Sequence, residues 1–254
     1  MDARVAVVTG ASRGIGRRLC ADLAAAGYDV VCTARSSAES RGALPGTIEE
    51  TAELVRAAGR RAWPVALDVR DDEGVASLAE RVLREWGGCH LVVNNAALAP
   101  PRPALLDTTK RWRLGVDVNV NGPFYFVYHF APRMKPGEGR VVNVSSGASQ
   151  MPGFGRAGYT TTKAALEAMT RALAHDLRGR VAVNCVRLEV PVWTEGFAAT
   201  LPPDVDLPFE DPVIVSDAVL WLARQPVEVT GEVLTIAALR ERGAVRPFTP
   251  AVRR

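Results

Sequence analysis

Short runs of Val, Ile, Leu and Ala recur along these 254 residues, each followed by a longer amphipathic stretch, and no other feature narrows the possible folds so far. The runs lie at Val5–Thr9, Val30–Thr33, Ala62–Ala66, Leu91–Asn94, Val141–Val144, Val181–Val186 and Val233–Ile236. Helical periodicity occupies Ile15–Ala26, Thr47–Ala58, Val75–Trp86, Lys110–Phe130 and Thr160–Leu177. Strands that are apolar on both faces belong in parallel sheets covered by helices. The alternation therefore predicts an α/β chain. A single-domain, Rossmann-type doubly wound sheet of about seven parallel strands is expected, with helices on both faces. No internal repeat or Gly/Ser linker divides residues 1–254. Three stretches break the rhythm: a polar connection at Ser36–Gly46, a Pro-rich and apolar stretch at 190–212 with the character of a substrate lid, and a tail at 240–254. The tail reads as a frayed end or as an arm onto a neighbouring subunit.

Composition excludes several functions. A formal net charge of +3 with no basic run gives no nucleic-acid footprint. His90, His129 and His175 are dispersed, and Cys20, Cys32, Cys89 and Cys185 form no Cys-x-x-Cys pair, so no metal is expected. Buried, reduced thiols suit a cytoplasmic protein. No apolar run reaches the roughly 18 residues a membrane span needs, and the start has no signal-peptide pattern.

The first apolar run leads into Thr9-Gly10-Ala11-Ser12-Arg13-Gly14-Ile15-Gly16, then a helix. Glycines placed between a first strand and a first helix let the backbone approach a pyrophosphate seated over the helix N-terminus. The spacing is Gly-x-x-x-Gly-x-Gly rather than Gly-x-Gly-x-x-Gly. Where NAD-selecting chains carry an acid after the second strand, this chain has Arg35 followed by Ser36, and Arg13 stands in the glycine loop. Guanidinium groups suit a ribose 2′-phosphate, which favours NADP(H).

Tyr159 and Lys163 stand four residues apart, on one face of the expected helix. An ammonium beside a phenol lowers its pKa from about 10 towards neutrality, so Tyr159 is a candidate acid/base near pH 7.

Together these motifs resemble the short-chain dehydrogenase/reductase family over about positions 3 to 237. Asp68-Val69 follows the third run, Asn94-Asn95-Ala96 the fourth, Asn119 lies in Val118-Asn119-Val120-Asn121-Gly122, and Ser145-Ser146 follows the fifth. Ser146 precedes Tyr159 by 13 positions (159 − 146), the family interval. The resemblance implies a catalytic set of Asn119, Ser146, Tyr159 and Lys163. In it Ser146 binds the substrate oxygen, Lys163 holds the nicotinamide ribose, and Asn119 holds a water linking Lys163 to solvent. It implies a cofactor site of Gly10, Ser12, Arg13, Gly14, Ile15, Gly16, Arg35, Ser36, Asp68, Val69, Asn95, Ala96, Tyr159, Lys163 and Thr194. It also implies a homodimer or homotetramer built on the helices of Asn119 and Tyr159. Four departures stand out. Ala97 replaces a glycine, Leu188-Glu189 replaces Pro-Gly, Thr194 comes one step late, and Ala237-Ala238 replaces Gly-Gly. With the long Ser36–Gly46 connection they resemble the hydroxysteroid dehydrogenase-like subgroup, here without the lipid-transfer domain.

Gln150, Met151 and Phe154 after Ser146, with Trp193 and Phe197 in the lid, are the candidate substrate residues. They favour an apolar or aromatic carbonyl or alcohol. Glu189 is read as solvated or paired with Arg187. The expected activity is NADP(H)-dependent interconversion of a ketone or aldehyde with an alcohol. The alternatives are a tailoring step on an imine or without redox, and a sensor that binds NADP(H) without turnover.

Overall fold

The computed structural model describes residues 4–99, 108–151, 157–199 and 207–251. Among them, seven parallel strands form one sheet in the order β3-β2-β1-β4-β5-β6-β7. The strands are β1 (Arg4–Thr9), β2 (Tyr28–Ala34), β3 (Ala62–Ala66), β4 (Leu91–Asn94), β5 (Gly139–Ser146), β6 (Val181–Leu188) and β7 (Val233–Thr235). Pro64 lies in β3, at the sheet edge, where a missing N–H costs no ladder bond.

Alternating residues of each strand feed two cores. Ala6 and Val8 join one face with Leu19 and Leu23 of α1 (Gly14–Ala25), Val55 of α2 (Ile48–Ala57), Ile214 and Leu222 of α8 (Val213–Arg224), and Leu239 of α9 (Ile236–Glu241). Val5 and Val7 join the other with Val82 of α3 (Asp72–Trp86), Phe126 and Phe130 of α5 (Gly122–Phe130), and Ala174 of α6 (Ala157–Asp176). The core side chains named here are buried. Local signals set the helix ends. Thr47 accepts from Glu50 N at 3.2 Å and opens α2. Asp71 caps α3, which Gly87 closes at φ 78°.

Three expectations change. The helix expected over Lys110–Phe130 is interrupted: α4 (Thr109–Val116) and α5 flank a π-helical segment, Asp117–Asn121, that contains Asn119. The last strand stops at Thr235, and the alanine pair Ala237-Ala238 lies inside α9. The tail is docked rather than frayed as far as residue 251. Glu210 bridges Val192 on one side and Pro250 on the other. Trp193 N donates to Glu210 O at 2.9 Å, Glu210 N to Pro191 O at 2.8 Å, and Ala251 N to Phe209 O at 2.9 Å. The buried Glu210 carboxylate pairs with the Arg240 guanidinium, and Asp217 pairs with Arg246 at 2.6 Å. The two ends of the 190–212 stretch are thereby tied to each other, and the 209–211 end to the tail. Between them, α7 (Glu195–Ala198) sets Phe197 edge-on to Phe209 at 5.4 Å.

Candidate active site

Because the strands are parallel, the residues after β1, β4, β5 and β6 gather at one edge of the sheet. The order reverses between β1 and β4, and the glycine loop leaves β1 at that switch. Gly10 (φ 66°) and Gly14 (φ 53°) occupy the left-handed region, which side chains disfavour. A Cβ on Gly10 would lie 2.9 Å from Ala96 Cα. Arg13, at the N-cap of α1, makes no side-chain cap bond, and the first turn holds no acid. The first N–H groups of α1 therefore face outward without a competing anion from their own turn, as a phosphate requires.

Thr9 knits the loop to β4. Its Oγ1 accepts from Asn95 N and Ala96 N, each at 3.0 Å. Asn95 Nδ2 donates to Thr9 O at 2.8 Å. Asn95 and Ala96 therefore buttress the glycine loop, and Ser12 is buried beneath it.

Arg13 serves the connection after β2. Its Nε donates to Pro45 O at 2.8 Å, and its Nη2 to Ser36 Oγ and Leu44 O, each at 3.0 Å. Arg35 directly follows β2 and is exposed. Asp68 is held by Arg70, whose Nη2 donates at 2.7 Å; this pairing keeps the Asp68 carboxyl below its ordinary range despite partial burial. Val69 is buried, and a Cβ on Gly122 would lie 3.0 Å from it.

Lys163 is buried, its Nζ 5.7 Å from the centroid of the Tyr159 ring and donating to Val144 O at 2.7 Å. Burial pushes its pKa down to about 8; Cys185 and Glu167 oppose this. The bond to Val144 holds Lys163 beside the end of β5, where Ser146 stands. Ser146 Oγ accepts from Ala148 N at 3.2 Å, which leaves its own proton to donate. The Asn119 amide is committed to the scaffold. Its Oδ1 accepts from Leu98 N at 2.8 Å, and its Nδ2 donates to Leu98 O at 2.9 Å and Thr162 Oγ1 at 3.0 Å. Any water on Asn119 thus meets its main chain rather than its amide protons.

Thr194 caps α7, accepting from Phe197 N at 3.0 Å, and lies against the glycine loop: a Cβ on Gly14 would sit 2.9 Å from Thr194 Cγ2. The same Cβ would lie 3.4 Å from Glu195 Oε2, a buried oxygen without a hydrogen-bond partner among the described residues. Trp193 is half-buried, Gln150, Met151 and Phe197 are exposed, and Phe154 lies outside the described residues.

Two carboxylates differ from the sequence reading. Glu189 is exposed, as expected, but it makes no ion pair with Arg187 among the described residues: its carboxylate accepts from Ile236 N at 2.9 Å and Ala237 N at 2.6 Å, at the start of α9. The two departures at Leu188-Glu189 and Ala237-Ala238 therefore meet in space. Arg187 pairs instead with Glu167, buried on α6, with Nη2 to Oε2 at 2.6 Å. Glu167 follows Lys163 by four residues, a helical-face signal visible in the sequence; its pairing with Arg187 depends on how α6 packs on β6 and had no local signal. All four cysteines are free and buried. The fold brings Cys20 of α1 against Cys32 of β2, and burial followed by this contact pushes the Cys20 thiol up. Among the described residues, no group of three or more His, Cys, Asp or Glu could hold a metal, and no helix is long and apolar enough to cross a membrane.

A seven-stranded parallel sheet with a glycine loop at its switch point defines a Rossmann-type nucleotide-binding fold. The description "short chain dehydrogenase" fits residues 4–197, and the chain belongs to that oxidoreductase family. An uncharacterised oxidoreductase of Mycobacterium tuberculosis is 34% identical over 234 residues, covering 88% of this chain and 86% of that protein. Hydroxysteroid dehydrogenase-like protein 2 of Bos taurus is 29% identical over 240 residues; the match covers 93% of this chain but spans only 57% of the bovine protein. A metagenomic short-chain oxidoreductase solved in complex with NADP superposes with a TM-score of 0.74 at 28% identity, covering 92% of this chain and 98% of that one.

Proposed function

We propose that this chain is an NADP(H)-dependent oxidoreductase that interconverts a ketone or aldehyde with an alcohol on an apolar or aromatic small molecule. The observation that carries the reading is the buried Lys163, its ammonium 5.7 Å from the Tyr159 ring and tied to the strand that ends in Ser146. The glycine cradle fits a dinucleotide, since Cβ atoms at Gly10 and Gly14 would fill it. Gly10, Ser12, Gly14, Ile15 and Gly16 would hold the pyrophosphate. Arg35 would meet the 2′-phosphate, against the wall that Arg13 and Ser36 build. Asp68 and Val69 would border adenine, Asn95 and Ala96 the central ribose, Lys163 the nicotinamide ribose, and Thr194 the carboxamide. The NADP held by a similar structure supports this choice of cofactor.

When bound, the nicotinamide supplies or accepts the hydride. The chain handles the proton and the charge. Ser146 donates a hydrogen bond to the substrate oxygen, where negative charge grows during reduction. Tyr159 gives that oxygen its proton, and the Lys163 charge favours the phenolate left behind. In the reverse direction Tyr159 takes the proton. Asn119 keeps the 98–119 contact closed behind the site. Trp193, Phe197, Gln150 and Met151 would meet the substrate, with Phe154 expected beside them. Exposed Trp112, Phe124 and Tyr128 on α4 and α5 support the expected homodimer or homotetramer.

The test is NADPH consumption against ketones, aldehydes, quinones and imines, with Tyr159→Phe as control. The variant should keep NADPH binding and lose turnover by about 10² or more. Near wild-type turnover in Tyr159→Phe would overturn the assignment.

A further inference from the structure

Glu167 stands one helical turn beyond Lys163 and is buried (1% exposed). Its carboxylate gathers four hydrogen bonds. Oε1 accepts from Ser145 Oγ at 2.8 Å, Ser149 Oγ at 2.7 Å and Arg187 Nε at 2.9 Å; Oε2 accepts from Arg187 Nη2 at 2.6 Å. The two serines bracket Ser146, and Arg187 pairs in register with Ser145 across β5 and β6. One carboxylate thus ties α6, the exit of β5 and the end of β6 together.

Stability alone is a weak reason for such a pair. Desolvation offsets most of the attraction in a buried ion pair, and packed apolar residues often serve as well or better. What apolar residues could not do is hold a hydroxyl on each side of Ser146 and place a compensated charge pair beside a buried ammonium. We propose that Glu167 and Arg187 are positioning residues of the reaction: their ion pair braces the 145–149 turn that presents Ser146 and balances the charge around Lys163. The proposal rests on the oxidoreductase reading above.

The surroundings of Lys163 make the charge balance decisive. On its own helix it faces Tyr159 and Glu167. From β6 come Cys185, whose thiol burial pushes up to about 12 and so keeps neutral, and Arg187. From β5 the Val144 carbonyl accepts a hydrogen bond from Lys163. The 147–149 turn contributes the Ser149 hydroxyl, already on Glu167. Lys110, Arg111, Arg113 and Asp117 lie on α4 and the π segment, and none pairs with Lys163. Removing the Glu167 charge leaves Arg187 uncompensated and disfavours the ammonium. Removing the Arg187 charge leaves Glu167 uncompensated and favours it.

The chain has three lysines, Lys110, Lys135 and Lys163, so NMR of [13Cε]lysine-labelled protein resolves the titration of Lys163 without substrate. Glu167→Gln should lower that titration by roughly one pH unit, and Arg187→Gln should raise it by a similar amount. The limb of the kcat profile governed by Lys163 should move with it. Glu167→Gln/Arg187→Gln should bring Lys163 back to within about 0.3 unit, and it removes both charges if a single variant does not fold. Arg187→Lys keeps the charge but gives up the fork: Lys163 should titrate as in wild type while kcat falls about tenfold. A pair that serves stability alone predicts lost melting temperature with Lys163 unmoved. That result, or shifts of the same sign in both single variants, overturns the proposal. Because the NMR measurement needs no substrate, an enzyme inactive on every carbonyl tested would sink the proposed reaction while the Lys163 shifts still judge the charge balance.

Discussion

Gly16→Ala probes the junction on which the proposed cofactor site depends. Gly16 lies in the first turn of α1, and a Cβ there would run into the Gly10 carbonyl, with Gly10 C at 2.8 Å and Asn95 Nδ2 at 2.7 Å. Two of these three atoms are backbone and cannot rotate away. Overpacking of this kind costs about 1–3 kcal/mol, and backbone obstruction places it near 3. For a chain of this size each kcal/mol lowers Tm by about 2–4 °C, so the variant should melt about 6–12 °C below wild type. Displacing Gly10 would also deform the cradle proposed for the pyrophosphate. With NADPH at 100 times the wild-type Kd, ligand stabilisation is about 2.7 kcal/mol. If the deformation weakens binding about 30-fold, the variant retains only about 0.9 kcal/mol. Thermal unfolding with and without NADPH reads both quantities. Gly115→Ala is the control: it is helical, has open space around its Cβ, and should be neutral or slightly stabilising. Melting of Gly16→Ala within about 2 °C of wild type, with an equal NADPH shift, would refute the reasoning.

Arg35→Asp should weaken NADPH by roughly 10-fold or more while sparing NADH, since the new charge repels the 2′-phosphate; Kd values for both cofactors check this, and unchanged discrimination removes the case for NADP. Glu195→Gln should tighten NADPH roughly tenfold at low salt, because its buried Oε2 faces Gly14, where the pyrophosphate would add negative charge; fluorescence titration that finds equal Kd values counts against that clash. Burial pulls the Asp29 carboxyl up, but hydrogen bonds from Arg61 (2.7 Å) and the charges of Arg60 and Arg61 prevail and hold it below its ordinary value. A depressed pKa stabilises above the unfolded value near 3.9 and is lost as pH falls through the folded one. Asp29→Asn should therefore cost roughly 1–3 kcal/mol in urea unfolding at pH 7, with the gap closing below about pH 4. A gap that widens as pH falls from 7 would refute the sign.

The sheet was legible because each strand is apolar on both faces, and β3 and β4 match their expected bounds to the residue. β5 and β6 extend to Ser146 and Leu188 because they pair with each other there, which no local pattern announces. The break around Asn119 was hidden because a π turn hardly disturbs apolar periodicity over five residues. Nearness in sequence misdirected the pairing of Arg187: two residues apart on a strand and its exit, Arg187 and Glu189 go to different partners. The nearness of Lys163 to the Tyr159 ring was legible because the interval is one helical turn. Glu195 over Gly14 and Glu210 under the tail were not, since only the folded chain brings those segments together.

The ladder of 191–193, 209–211 and 249–251 has a further consequence for how such a chain can diversify. It closes the 194–208 segment at its base, independently of the residues between. Doubling the length of a closed loop costs only about 0.6 kcal/mol. Insertions after α7 would leave in place the ladder and the contacts of Thr194 and Glu195 with Gly14. On the proposed function, such a stretch is an exchangeable cassette: evolution or a protein engineer can redraw the proposed substrate wall apart from the residues proposed for proton transfer.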